Sequence, residues 1–448
     1  MTRLLLGHLL HVPGDPFAAA REAARSGRDE APPPSALDAI TDGALAIADG
    51  RLVDVGPAAE VRARHRGAVV EEAGGWLLPG FVDAHVHYPQ LAVTGVMGLR
   101  LLAWLRERTW PHEARFSDPA FARAEARAFL AALARNGTTT AMVFGAHQAS
   151  AMSAFFDEAD ASGLRITAGL ALGDRELPPE LRTDPGRAIE ETHALIERAH
   201  GRGRLRYAVT PRFAVSASDP LLAACGELMA ERSDLWFTTH LNETHDEIAY
   251  VRNAFPDARD YLDAYDRHGL VGPRSVFAHD VHPAERELDR LAEARAIVAH
   301  CPGSNQFIGS GLFPMRRHLA GGVRMALGTD VGGGPGFSLL GEARTAYQTQ
   351  MLRTDGVRLD PARLLWLATA AGADALGLAD EVGTLDVGRA ADVVLLRPPE
   401  RGTLAERLRH AASADDALGA LLSLGGEADV AGTWVAGRRV WNAAGAPT

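Results

Sequence analysis

The sequence predicts an α/β protein whose main body is a (β/α)₈ barrel. Strand-like apolar runs alternate with helical runs rich in Ala, Leu and Arg through the middle of the chain. Metal-competent side chains recur where those strand runs end. β-rich segments at both ends of the chain stand apart from this alternation.

The alternating part begins with FVDAHVH and continues through AEARAFLAALARNG, TTTAMVFG, SAFFDEADASG and LRITAGLAL as far as VRMALGTD. Alternation sustained over about 300 residues is what a closed parallel barrel requires. At the N-terminal end, residues 2–12 and 43–56 read as short strands, the second interrupted at Asp49-Gly50, a strong hairpin signal. Between them PGDPFAAAREAARSGRDEAPPPSALD reads as a surface insertion with one helix. At the other end ADVVLL (391–396) is a strand, and GTWVAGRRVWNA is a hairpin about Ala436-Gly437.

Composition narrows the function. The chain has 448 residues, 47% of them apolar, enough for a large core. No charge-free apolar stretch of membrane-spanning length occurs, and MTRLLLGHLLHVPGD reads as a first strand rather than a signal peptide. A net charge of −11 without a basic cluster argues against nucleic acid and anionic membrane as partners. Cys225 and Cys301 are far apart and form no CxxC, so a reducing cytoplasm is the expected compartment. The sequence contains no lysine. That removes a Schiff-base lysine, and it removes the carbamylated lysine that bridges two metals in dinuclear barrel hydrolases. One metal per chain is therefore expected.

The chemistry sits at the strand ends. His85 and His87 in GFVDAHVHYPQ are i and i+2 on a strand, so both imidazoles point to one face. Alone, this pattern also fits two satisfied strand-end histidines. His240 ends DLWFTTH, His279 ends SVFAH and Asp330 ends VRMALGTD. The C-terminal edge of a barrel is where active sites lie, and imidazole with carboxylate suits zinc. Glu243, three residues after His240, is placed to overhang a water activated there and shuttle its proton, whereas Asp246 and Glu247 read as solvated. His65, His112, His193, His200, His268 and His318 have no partner pattern. His245, His282 and His300 lie close to ligand strands, and His147 ends a strand run and can line a pocket. The glycines of GTDVGGGPG allow close backbone approach to Asp330, and no lysine follows them to make a phosphate loop.

These motifs resemble the amidohydrolase superfamily in the form used by guanine deaminases. PGFVDAHVHYPQ is similar to its metal signature. LLAWLRERTWPHEARF (101–116), TPRFAVSAS (210–218), HLNETHDE (240–247), FAHDVH (277–282), HCPGSNQFIGSGLFPM (300–315), LGTDVGGGPGFSLL (327–340) and GTLDVGRAADVVLL (383–396) follow in the family's order. The resemblance implies a β-sandwich made by both termini (1–78 and 380–448) around a barrel of residues 79–379. It implies one zinc per subunit held by His85, His87, His240 and Asp330, with His279 either a further ligand or a partner of the attacking water. Substrate contacts are implied for Gln90, Arg212 and Phe213 beside His87, His240 and Asp330, and catalysis for Glu243, His279 and Asp330. The expected partner is a small purine, with a second copy of the chain as homodimer. Two departures stand out: the insertion near 13–40, and Asp280 where small residues are common. Two other readings stay open here: a deaminase of another amino-heterocycle, such as 8-oxoguanine or a pterin, and a non-catalytic scaffold.

Overall fold

The computed structural model describes residues 1–28, 30 and 34–443. The strands Arg3–His11, Asp38–Ala48, Arg51–Pro57 and Val69–Pro79 join Val393–Leu396, Val430–Val435 and Arg438–Asn442 in one seven-stranded sheet. Its neighbours are antiparallel except Arg3–His11 with Val69–Pro79. Both expected hairpins turn on paired left-handed residues, Asp49 (φ 49°) with Gly50 (φ 79°) and Ala436 (φ 44°) with Gly437 (φ 72°). Two such residues give the turn whose twist matches flanking strands. The sheet curls until Leu52 N–H donates to Arg389 O (2.8 Å) and Ala391 N–H to Gly50 O (2.8 Å). Leu5, Leu45, Leu52, Leu77, Val393 and Trp434 are thereby enclosed as a separate core, giving the sandwich.

Not all of the C-terminal segment is β. Helices Thr403–Arg409 and Ala414–Leu424 lie within it, and the second buries Ala417, Leu418, Leu421 and Leu422 against helices Leu339–Leu352 and Pro361–Ala368 of the barrel's outer ring. The N-terminal insertion forms the helix Ala18–Ser26, while residues 31–33 of its proline-rich part lie outside the described residues. This insertion is docked rather than loose. Fully buried Arg363 pairs with the Glu30 carboxylate, donates to Pro16 O (3.2 Å) and stacks over Phe17.

The barrel strands are Phe81–His87, Thr138–Phe144, Arg165–Gly169, Leu205–Pro211, Trp236–Leu241, Ser275–His279, Ile297–His300 and Arg324–Leu327, paired in parallel in chain order. Every residue of Phe81–His87 and Thr138–Phe144 is buried, because helices cover the outside and neighbouring side chains fill the inside. The circle closes where Asp330 N–H donates to His85 O (2.8 Å) and His87 N–H to Val331 O (3.0 Å). Barrel and sandwich are joined by Arg165, which donates to Asp392 (Nε–Oδ2 2.8 Å) and Glu381 (Nη1–Oε2 2.9 Å). Among the described residues no helix is long and apolar enough to cross a membrane.

Candidate active site

Closure of the barrel brings His85, His87, His240 and Asp330 together at its C-terminal edge, with one ligand atom of each within 4.8 Å of all the others. Nε2 of His87 lies 3.1 Å from Nε2 of His85 and 3.2 Å from Nε2 of His240. Asp330 Oδ1 lies 3.2 Å from His85 Nε2 and 3.1 Å from His87 Nε2. The set fits a cation. Ligands of a tetrahedral zinc, each at about 2.0–2.1 Å, stand roughly 3.3 Å apart. His240 directs its Nδ1–H to Arg212 O (2.6 Å), which leaves the Nε2 lone pair facing the cluster. A metal ion is therefore the group these residues can hold.

The backbone is bent to make this possible. His279 (φ 74°), Asp280 (φ 45°), Asp330 (φ 48°) and Asn242 (φ 48°) are non-glycine residues in the left-handed region. Such strain costs on the order of 1–3 kcal/mol per residue and gathers at functional sites. Asp83 holds the frame: its carboxylate accepts from Thr329 Oγ1 (2.5 Å), Thr329 N (3.1 Å) and His85 N (3.1 Å). Glycines give the room expected of them. A Cβ on Gly328 would stand 2.9 Å from His85 Cβ, and one on Gly333 would stand 2.9 Å from Asp330 Oδ2. Burial pushes His87 down to about 4 and His240 well below the ordinary imidazole range, so both are neutral, as a ligand must be. Burial alone would raise Asp330, but the bonds with His85 and His87 outweigh it and hold its carboxyl well below the usual range.

His279 stands beside the four. Its Nε2 is 3.8 Å from Asp330 Oδ2 and 3.5 Å from Glu243 Oε2, while its Nδ1 meets Asn305 Oδ1 at 2.9 Å. Glu243 is buried, and Ser310 Oγ donates to its Oε1 (2.9 Å). Burial, reinforced by the Asp330 charge, pushes its carboxyl up to about 8.

A cavity over the cluster is lined by His87, Gln90, Arg212, Phe213, His240, Glu243, His279 and Asp330, with Leu101, Trp104, Leu105 and Ile308 as apolar wall. The structure thus gathers every residue singled out from the sequence. A larger cavity, about 600 Å³, lies at the opposite ends of strands Ile297–His300 and Arg324–Leu327, away from this chemistry.

Glu113 was missed. Its Oε2 accepts from Arg212 Nη1 (2.6 Å) and its Oε1 from Gln90 Nε2 (3.0 Å). Gln90 Oε1 in turn accepts from Gly332 N (3.2 Å), and Arg212 Nη1 meets His147 Nε2 at 3.1 Å. In WLRERTWPHEARF the residue looks like one more surface charge. Glu113 lies eight positions after Leu105, about 2.2 α-helical turns, which in a regular α-helix would set it about 80° round from Leu105. A π-helical turn over Leu105–Thr109 takes up that offset by adding a residue to the turn.

Other readings need correction. Glu247 is not solvated but fully buried. It closes a capping box with Thr244 and accepts from the Tyr261 hydroxyl, a role the T-x-x-E spacing of Thr244 and Glu247 could have signalled. Asp280 and His318 are both buried and meet each other at 2.9 Å, with Asn242 Nδ2 also donating to Asp280, so His318 does have a partner. His282 donates to Ser310 O (2.8 Å), and exposed His245 packs on its ring. His300 stacks on Phe313.

Comparison with known proteins agrees with this geometry. The amidohydrolase family profile matches residues 76–440, and a bacterial imidazolonepropionase-like composite domain matches residues 43–68 within the terminal sheet. A probable guanine deaminase of Deinococcus radiodurans is 54% identical over 436 residues, 96% of each chain. The guanine deaminase of Escherichia coli K12 is 39% identical over 409 residues, 91% of this chain and 93% of that one. The solved structure of an E. coli guanine deaminase superposes with a TM-score of 0.90 at 35% identity, covering 99% of both chains. The chain belongs to the amidohydrolase family.

Proposed function

We propose that the chain is a zinc-dependent hydrolase that converts guanine and water into xanthine and ammonia. The observation that carries this is the convergence, in one cavity, of a four-residue cation site, a buried carboxylate beside it, and a polar pair suited to an oxo-purine edge. Relatives named guanine deaminases over nearly the whole chain support the substrate.

His85, His87, His240 and Asp330 would hold the zinc. The ion supplies Lewis acidity that makes water nucleophilic at neutral pH. Arg212 and Gln90 bind the purine edge and set C2 above the cluster, while Phe213 and Trp104 exclude bulk water. The water oxygen bonds to C2. In its ionised form Glu243 takes one proton from that water and gives it to the ring nitrogen N3, so C2 becomes tetrahedral without charge build-up. His279, between Glu243 and Asp330, holds the remaining hydroxyl proton and passes it to the amino nitrogen. The C2–N bond then breaks, ammonia leaves, and the C2 carbonyl of xanthine forms.

Adenine carries an amino group where guanine carries O6, so it would meet Arg212 donor to donor. Sites that read a polar group in this way discriminate by about 10⁴ or more. The test is the zinc-loaded chain with guanine, following purine absorbance and released ammonia in parallel, with adenine as control. One ammonia per xanthine and no turnover of adenine are expected. A metal-loaded, folded chain that forms no xanthine overturns the reading.

A further inference from the structure

We propose that Glu113 is the positioning residue that gives the cavity its preference for a 6-oxo heterocycle, by holding Arg212 and Gln90 in one fixed arrangement. The inference rests on the guanine reading and adds to it the group that aims the two readers.

Three observations carry it. Glu113 is buried, 1% exposed, behind Arg212 (3%) and Gln90 (2%), which line the cavity. The two carboxylate oxygens serve different partners, Oε2 accepting from Arg212 Nη1 and Oε1 from Gln90 Nε2. Each reader has a second anchor: Gln90 Oε1 accepts from Gly332 N, and Arg212 Nη1 also donates to His147 Nε2.

The chemical consequence is specific. Nη1 of Arg212 spends its two hydrogens on Glu113 and His147. That leaves Nη2 and Nε as the donors for a ligand acceptor. The Gln90 amide can no longer flip, because its nitrogen faces a carboxylate and its oxygen faces an N–H. Glu113 also neutralises the guanidinium, so the cavity offers hydrogen-bond donors without a net positive charge. A neutral oxo-purine suits such a site better than an anion. Without Glu113 each reader keeps a single anchor, Gly332 N for Gln90 and His147 for Arg212, and Arg212 becomes an uncompensated buried cation.

The test is direct binding by calorimetry to the zinc holoenzyme, using hypoxanthine, which carries the 6-oxo group, and unsubstituted purine, which lacks it. In the unaltered protein hypoxanthine should bind more tightly. In Glu113→Gln that preference should fall by on the order of 10²-fold, the scale of a lost hydrogen bond to a charged group, while zinc content and purine affinity stay unchanged. Arg212→Met should remove the same preference, and the double variant should lose no more than either single one, since both act through one contact. Glu113→Asp keeps the buried charge and therefore folding, but withdraws the carboxylate by one carbon. It covers the case in which Glu113→Gln does not fold, and it should weaken the preference at least tenfold. A preference retained in Glu113→Asp or in folded Glu113→Gln, or losses that add in the double variant, overturns the inference. If the unaltered holoenzyme forms no xanthine from guanine, the functional reading fails instead, and this inference falls with it.

Discussion

Replacing Glu243 by Gln separates proton transfer from everything else Glu243 does. The side chain is 2% exposed and accepts one bond, from Ser310 Oγ at 2.9 Å. A glutamine oxygen accepts that bond equally well, and shape and volume are conserved. The contact to His279 Nε2 is 3.5 Å, too long for a strong hydrogen bond, so little is lost there. Burial and the Asp330 charge already disfavour an ionised Glu243, so a neutral amide in its place is expected to bring no loss of stability. What disappears is a group able to carry a proton from water to the ring. General acid–base catalysis contributes about 10²–10⁴ in rate, which at 1.36 kcal/mol per decade is roughly 3–5 kcal/mol of barrier. The expected result is a kcat lower by that factor, a nearly unchanged KM, full zinc occupancy and an unaltered melting temperature. Steady-state kinetics on guanine, elemental analysis and a thermal melt check the three parts. A kcat within tenfold of the parent removes Glu243 from the proton path. Zinc loss in proportion to activity would show that the residue supports the metal instead.

Chelation should abolish turnover, and one equivalent of zinc per chain should restore it; a requirement for two would contradict a site with four converging ligands and no lysine to bridge a pair. Arg212→Met should cut kcat/KM for guanine by more than tenfold. It should also destabilise the fold by about 3–5 kcal/mol, because the buried Glu113 carboxylate loses its cation, which a chemical denaturation curve would register. Asp392→Asn at the joint of barrel and sandwich should cost on the order of 3 kcal/mol in the same assay, since Arg165 loses its bidentate partner. An unchanged midpoint would show that the Arg165–Asp392 pair does not hold the joint.

The barrel was legible because its strands are buried on both faces and so appear as apolar runs ended by chemistry. FVDAHVH and TTTAMVF are wholly buried, and the helical runs between strands have their own period. The hairpins at Asp49-Gly50 and Ala436-Gly437 were legible because left-handed turns leave few residues to choose from. Other elements left no such mark. The strand Val69–Pro79 exposes Val69, Val70 and Glu72 over its first half, so its polar and apolar residues do not alternate. Helices Thr403–Arg409 and Ala414–Leu424 follow a strand and precede a hairpin. Only the packing of Ala414–Leu424 on the barrel's outer helices, with Thr403–Arg409 packed on it in turn, distinguishes them from sandwich connections.

In the site, legibility followed the stringency of the chemistry. A cation accepts few side-chain types and needs them at strand ends, so His85, His87, His240 and Asp330 stand out one by one. A group that positions another side chain has no such restriction. Glu113 could be any glutamate in a charged helical run, and a π-helical turn that the sequence does not announce turns it inward. Yet both kinds of residue meet at Arg212, through different atoms. Its backbone oxygen fixes the His240 ring, while its guanidinium pairs with Glu113 and lines the cavity. Any residue at position 212 supplies that carbonyl, so substitutions there, or at Glu113, should spoil recognition and leave the metal in place. At Arg212 a backbone atom orients a candidate metal ligand and the side chain joins the Glu113 network, so on the proposed function recognition should change there without dismantling the cation site.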